Sequence, residues 1–127
     1  MSHTDKYKVN FTDTECVVKA LQRMGFSLNQ IEVHDEGAEL LNYSRNRMNL
    51  HANVIIRKPN LRGNVNDFGV RVGEDGGEIY ADGNFINPKT LEQTYGVEKA
   101  LKDADAMGYF TTEEVFADGR IRLRINQ

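Results

Sequence analysis

The stretch 50–85 constrains this chain most, because it runs through three β-patterned segments with turn residues between them. Ala52, Val54 and Ile56 alternate with Asn53, Ile55 and Arg57; Phe68, Val70 and Val72 alternate with Gly69 and Arg71; Ile79 and Ala81 follow the turn Gly73-Glu74-Asp75-Gly76-Gly77. A period of two sends successive side chains to opposite faces of a strand. Three such runs joined by turns predict an antiparallel meander. A meander with one apolar face is not stable alone in water, so the flanking segments must supply the helices and strands that cover it.

Upstream, Tyr7, Val9 and Phe11 alternate with Lys6, Lys8 and Asn10, which predicts a first strand. Thr12-Asp13-Thr14-Glu15 has the form of a capping box with Thr12 as N-cap. Cys16, Val17, Ala20, Leu21 and Met24 then recur at helical spacing, predicting a helix over 13–24 with Gly25 at its left-handed C-cap. Ile31 and Val33 against Glu32 and His34 predict a short strand ending near Asp35. Downstream, Asn87-Pro88 opens a second helix running to Met107. Its apolar stripe moves from Leu91 and Tyr95 to Val97, Leu101 and Ala104 across Gly96, which predicts a bend or a break there. The runs 109–116 and 120–125 flank Asp118-Gly119, a strong hairpin signal, and Ile121, Leu123 and Ile125 are expected to face the core. The whole order, β-α-β-meander-α-hairpin, predicts an α+β fold: a single antiparallel β-sheet with two helices packed on one face.

A length of 127 residues suits one domain with an ordinary core. Hydrophobic residues at 39% and charged residues at 28% exclude a disordered chain, and a net charge of -3 argues against a protein that coats nucleic acid over its whole surface. Cys16 is the lone cysteine, so no intramolecular disulfide forms and a reducing compartment is expected. No apolar run approaches membrane-spanning length and the start has no basic-then-apolar leader, which predicts a cytoplasmic protein with no membrane partner.

Charge is uneven along the chain. The segment 40–66 holds no Asp or Glu, yet carries Arg45, Arg47, Arg57, Lys58 and Arg62 together with Tyr43 and His51. If 43–49 is extended, Arg45 and Arg47 point to the same side, where paired guanidinium forks beside a tyrosine suit a phosphate or a stacked base. The competing expectation is that these arginines pair with acids just outside the window, Glu36, Glu39, Asp67 and Glu74. Arg120, Arg122 and Arg124 share a face of the last strand and form a second candidate anion face, unless Glu113 or Glu114 sits across from them. His34 beside Glu32 and Glu36 is better explained as a solvated strand face than as a metal site, and no metal or cofactor is expected.

Several short phrases, Met1-Ser2-His3, Leu41-Asn42-Tyr43-Ser44-Arg45, Leu91-Glu92-Gln93-Thr94-Tyr95 and Asp118-Gly119-Arg120-Ile121-Arg122-Leu123, resemble the hypothetical-chloroplast-frame thirty-five family of plastids and cyanobacteria. A divergent bacterial or phage member fits the same resemblance. It implies a small soluble α+β domain, placed in the plastid stroma if plastid-encoded, and transfers no activity, cofactor or catalytic residue.

His3, His34 and His51 are scattered, with no nucleophile phrase around them, so an enzyme is not expected. The expected function is that of a non-catalytic binding or adaptor protein, contacting a protein partner or a second copy through a sheet edge or the 57–66 loop. The alternative is a nucleotide or short single-stranded nucleic acid bound by Tyr43, Arg45, Arg47, His51, Arg57 and Arg62.

Overall fold

The computed structural model describes residues 3–126. Five strands, β1 (Asp5–Val9), β2 (Glu32–Leu41), β3 (Arg47–Ile56), β4 (Phe68–Arg71) and β5 (Gly77–Ala81), form an antiparallel sheet in the spatial order β1-β5-β4-β3-β2. The meander β3-β4-β5 is its centre, as the alternation predicts. Val54 opposes Val70 and Val70 opposes Ile79, so three strands contribute one apolar row. On this face lie α1 (Thr14–Arg23) and α2 (Pro88–Ala106), whose Val17, Ala20, Leu21, Leu91 and Tyr95 complete the main core. Each large aliphatic side chain buried there contributes roughly 1.5–3 kcal/mol relative to exposure.

Local signals are overruled where the helices meet. Asp13, not Thr12, caps α1, accepting the Cys16 N–H at 3.2 Å. The Thr12 and Asp13 N–H groups instead donate to the Tyr95 hydroxyl of α2, at 3.1 and 3.2 Å. Tyr95 is brought there by stacking on Phe11, with ring centroids 4.2 Å apart. The helix α2 is continuous through Gly96. Its buried line reads Leu91, Tyr95, Glu98, while Val97 and Leu101 are only half-buried. The apparent shift of stripe is therefore a buried glutamate at a core-facing position, where Arg23 of α1 meets it.

The sheet also has a second core on its other face. β2 extends well past Asp35, and two register irregularities, one between Val33 and Ala38 that contains Gly37 at φ 82° and one between Glu39 and Leu41, curl the β2–β3 hairpin over that face. Leu40, Ala52, Ile55 and Tyr80 are buried together beneath it. Gly69 makes the close approach possible: a Cβ there would lie 2.8 Å from Ala52 Cβ and 2.9 Å from Leu40 Cδ2.

The last two strands, β6 (Phe110–Val115) and β7 (Ile121–Asn126), form a separate two-stranded sheet. The Asp118-Gly119 turn forms as predicted, with Gly119 N–H donating to Phe116 O at 2.9 Å and Gly119 at φ 89°. Ile121 and Leu123, however, are half-buried and Ile125 is exposed. The two helices already fill the sheet face, so the hairpin lies beside α2 rather than on the core. Among the described residues, no helix is long and apolar enough to cross a membrane.

Candidate functional site

The acid-free segment folds around the first carboxylate that follows it. Asp67 is wholly buried. Its Oδ1 accepts from Arg45 Nη1 and the Lys58 N–H, both at 2.9 Å, and its Oδ2 accepts from Arg57 Nη1 at 2.9 Å and the Leu41 N–H at 3.0 Å. Burial alone pushes the Asp67 carboxyl up; these four donors outweigh it and hold the group below its ordinary value. Arg57 is spent further on Glu32, at 3.0 and 3.1 Å, and on the Glu39 carbonyl at 3.0 Å. The Glu32 carboxyl is lowered chiefly by that fork, and it also meets His34 Nε2 at 2.9 Å. Arg45 and Arg57 are thus structural partners of buried or half-buried acids. Their charge is already matched by those acids, which weakens their pull on a ligand phosphate.

The reason lies in the turn 42–46. The run 43–49 is extended only from Arg47 on, and 43–46 form a turn: Asn42 Oδ1 accepts the Ser44 and Asn46 N–H groups, both at 2.9 Å, and Arg45 sits at φ 62°. That left-handed residue breaks the period of two, so Arg45 turns toward Asp67 while Arg47 starts β3 facing solvent. Arg47 Nε lies 3.5 Å from Glu39, and His51 lies 3.7 Å from the same carboxylate. Arg62 stands apart, over the Phe85 ring at 5.2 Å. Of the six residues expected to share one site, only Tyr43 and Arg47 line a common groove. The 57–66 loop is bound back to the body, with Lys58 Nζ on the Tyr43 carbonyl at 2.9 Å and the Asn66 N–H on Asp82 at 2.8 Å.

On the C-terminal hairpin, Arg122 pairs directly with Glu114 in register, the side chains meeting at 3.5 Å. Arg120 is taken by Asp118 at 2.6 Å and lies over Phe116. Arg124 faces Thr112. Glu113 reaches the other way, to Arg23 at 2.6 Å. The hairpin is conspicuous for a different reason: Phe110 is 79% exposed and Val115 68%, and neither β6 nor β7 has another strand beside it among the described residues. The main sheet guards its own edges, with lysines along β1 and bulges in β2. No family model, curated protein or solved structure matches this chain.

Proposed function

We propose that this is a non-catalytic binding or adaptor protein whose contact surface is the C-terminal hairpin, engaging a protein partner or a second copy of itself along a strand edge. The observation that carries this reading is the exposure of Phe110, Val115 and Ile125 on a two-stranded sheet with both edges open. An isolated hairpin is marginally stable in water, and open edges pair readily with an added strand. The 57–66 loop is the weaker contact surface because its polar groups are tied to the body. A reducing compartment, cytosol or plastid stroma, suits the lone buried Cys16.

The test combines sedimentation over a wide concentration range with affinity purification from the native host, using the intact chain beside Phe110→Glu and Val115→Glu. Both positions are exposed, so the variants should fold. Hairpin-dependent self-association, or a co-purifying protein lost in both variants, supports the reading. A strict monomer with no hairpin-dependent partner overturns it.

A further inference from the structure

On the sheet face opposite the helices, a groove of about 400 Å³ opens between edge strand β1 and the curled tip of the β2–β3 hairpin. None of the residues lining it is Asp or Glu. A cation stands on each side: Lys6, whose register partner Tyr80 fixes it on this face, lies on the β1 side with His3 and Thr4, and Arg47 lies across the groove on the β2–β3 side. Tyr43 and Met48 lie on the Arg47 side and supply its apolar surface. Asn66, itself buried, staples the two walls together: its Oδ1 accepts the Tyr43 N–H and its Nδ2 donates to Thr4 Oγ1, both at 2.8 Å. Lys58 Nζ holds the Tyr43 carbonyl as well. The backbone that carries the tyrosine is therefore held before any ligand arrives.

The acids near the groove leave its cations usable. Glu39 touches Arg47 only through Nε, and 83% of the Arg47 side chain remains exposed. Asp5 pairs with His3 at 3.0 Å, and Lys6 makes no ion pair among the described residues. Cations on both rims with an aromatic residue beside one of them, in a volume within the usual range for ligand clefts, match the two halves of a nucleotide. We infer that this groove binds a nucleotide, with its phosphate between Lys6 and Arg47 and its base against Tyr43. The positive rim on an acidic body focuses a small anion without attracting duplexes broadly. This site is separate from the hairpin and uses only two of the residues that the charge pattern singled out.

The nucleotide has two sources, a free mononucleotide or a single strand, and one experiment separates them. Calorimetry with the four ribonucleoside monophosphates runs beside fluorescence anisotropy with labelled rU12 and dT12, each at two salt concentrations. Lys6→Ala and Arg47→Ala should each weaken binding by roughly tenfold or more. Tyr43→Ala should weaken it about tenfold, and Tyr43→Phe should leave it within about twofold. For a strand, the double variant should flatten the log–log salt dependence by about 1.4, the value for two lost phosphate contacts. Lys19→Ala and Lys99→Ala, on the helices, make the same change in net charge and should leave affinity intact. All five substituted positions are partly or wholly exposed, and a melting curve for each variant confirms folding. Groove-dependent binding of either source upholds the inference and names the source. No binding by any probe at low salt, or equal losses in the helix controls, overturns it.

Discussion

Arg23 and Glu113, ninety positions apart in sequence, stand 2.6 Å from each other, and the same guanidinium holds the buried Glu98 of α2. One side chain of α1 thus binds both the second helix and the hairpin. Its own pKa is raised, first by the bond to Glu98 and then by that to Glu113. The two bonds differ in weight because the two carboxylates differ in exposure: Glu98 is 10% exposed and Glu113 36%.

That difference predicts unequal costs. Arg23→Ala leaves a buried carboxylate without its partner and should destabilise the fold by about 3–5 kcal/mol. Glu113→Gln removes only the half-exposed arm and should cost about 1 kcal/mol or less. Its effect should instead appear locally, as faster amide exchange along β6 and β7 with the exchange of α1 and α2 unchanged. Urea unfolding and hydrogen exchange check the two, and equal losses of global stability would contradict the assignment.

Asp67 sets a second prediction. Asp67→Asn strips the charge from a buried acceptor and leaves Arg45 and Arg57 facing a neutral amide, which should cost about 3–5 kcal/mol. The pH dependence follows from the direction of the shift. The folded pKa of Asp67 is below its ordinary 3.8, so its stabilisation is fully present above about 3.8 and is lost as pH falls through the lower, folded value. Glu32 acts in the same direction from 4.5. Stability should be flat toward neutral pH and drop in acid, with a shallower acid limb in Asp67→Asn, as read by denaturant midpoints across the pH range.

These two acids also show what was legible in the sequence and what was not. The meander, the Asn87-Pro88 start of α2 and the Asp118-Gly119 turn rest on local chemistry, and each forms where the pattern puts it. Asp67 was visible as an acid bordering a basic window. That it takes Arg45 and Arg57 together depended on the left-handed Arg45, which no alternation pattern announces. Tyr95 overrode a local capping box from 83 residues away, and the second core under Leu40 needed a bulged strand whose period is broken. Lys6, now opposite Arg47 across the groove, looked like an ordinary solvent-facing residue of a first strand. Long-range pairing, not composition, brought it there.

Cys16 supplies a third prediction. Its thiol is buried and pushed above its ordinary value, first by desolvation and then by the Asp13 carboxylate. Only the thiolate attacks a disulfide reagent, so the native protein at mildly alkaline pH should react about a hundredfold or more slowly than the chain in denaturing urea. Prompt reaction of the native state, followed by absorbance, would show that this wall of the core opens readily.

The second core can be tested by a pair of substitutions that should not add. Gly69→Ala places a methyl 2.8 Å from Ala52 Cβ and 2.9 Å from Leu40 Cδ2, an overpacking that should cost about 1–3 kcal/mol. Leu40→Ala empties the same spot from the other side and should cost about 2–5 kcal/mol, since Leu40 is wholly buried. In the double variant, the new methyl at position 69 enters space vacated by the leucine, so the clash is relieved and part of the cavity is filled. The double variant should therefore be less destabilised than the sum of the singles, by about 0.5–3 kcal/mol. Because these residues seat the β2–β3 hairpin on the sheet, amide exchange at its curled tip should rise in each single variant and recover in the double. Denaturant unfolding of the four proteins measures the coupling, and strict additivity would mean that Leu40 and Gly69 do not share this contact.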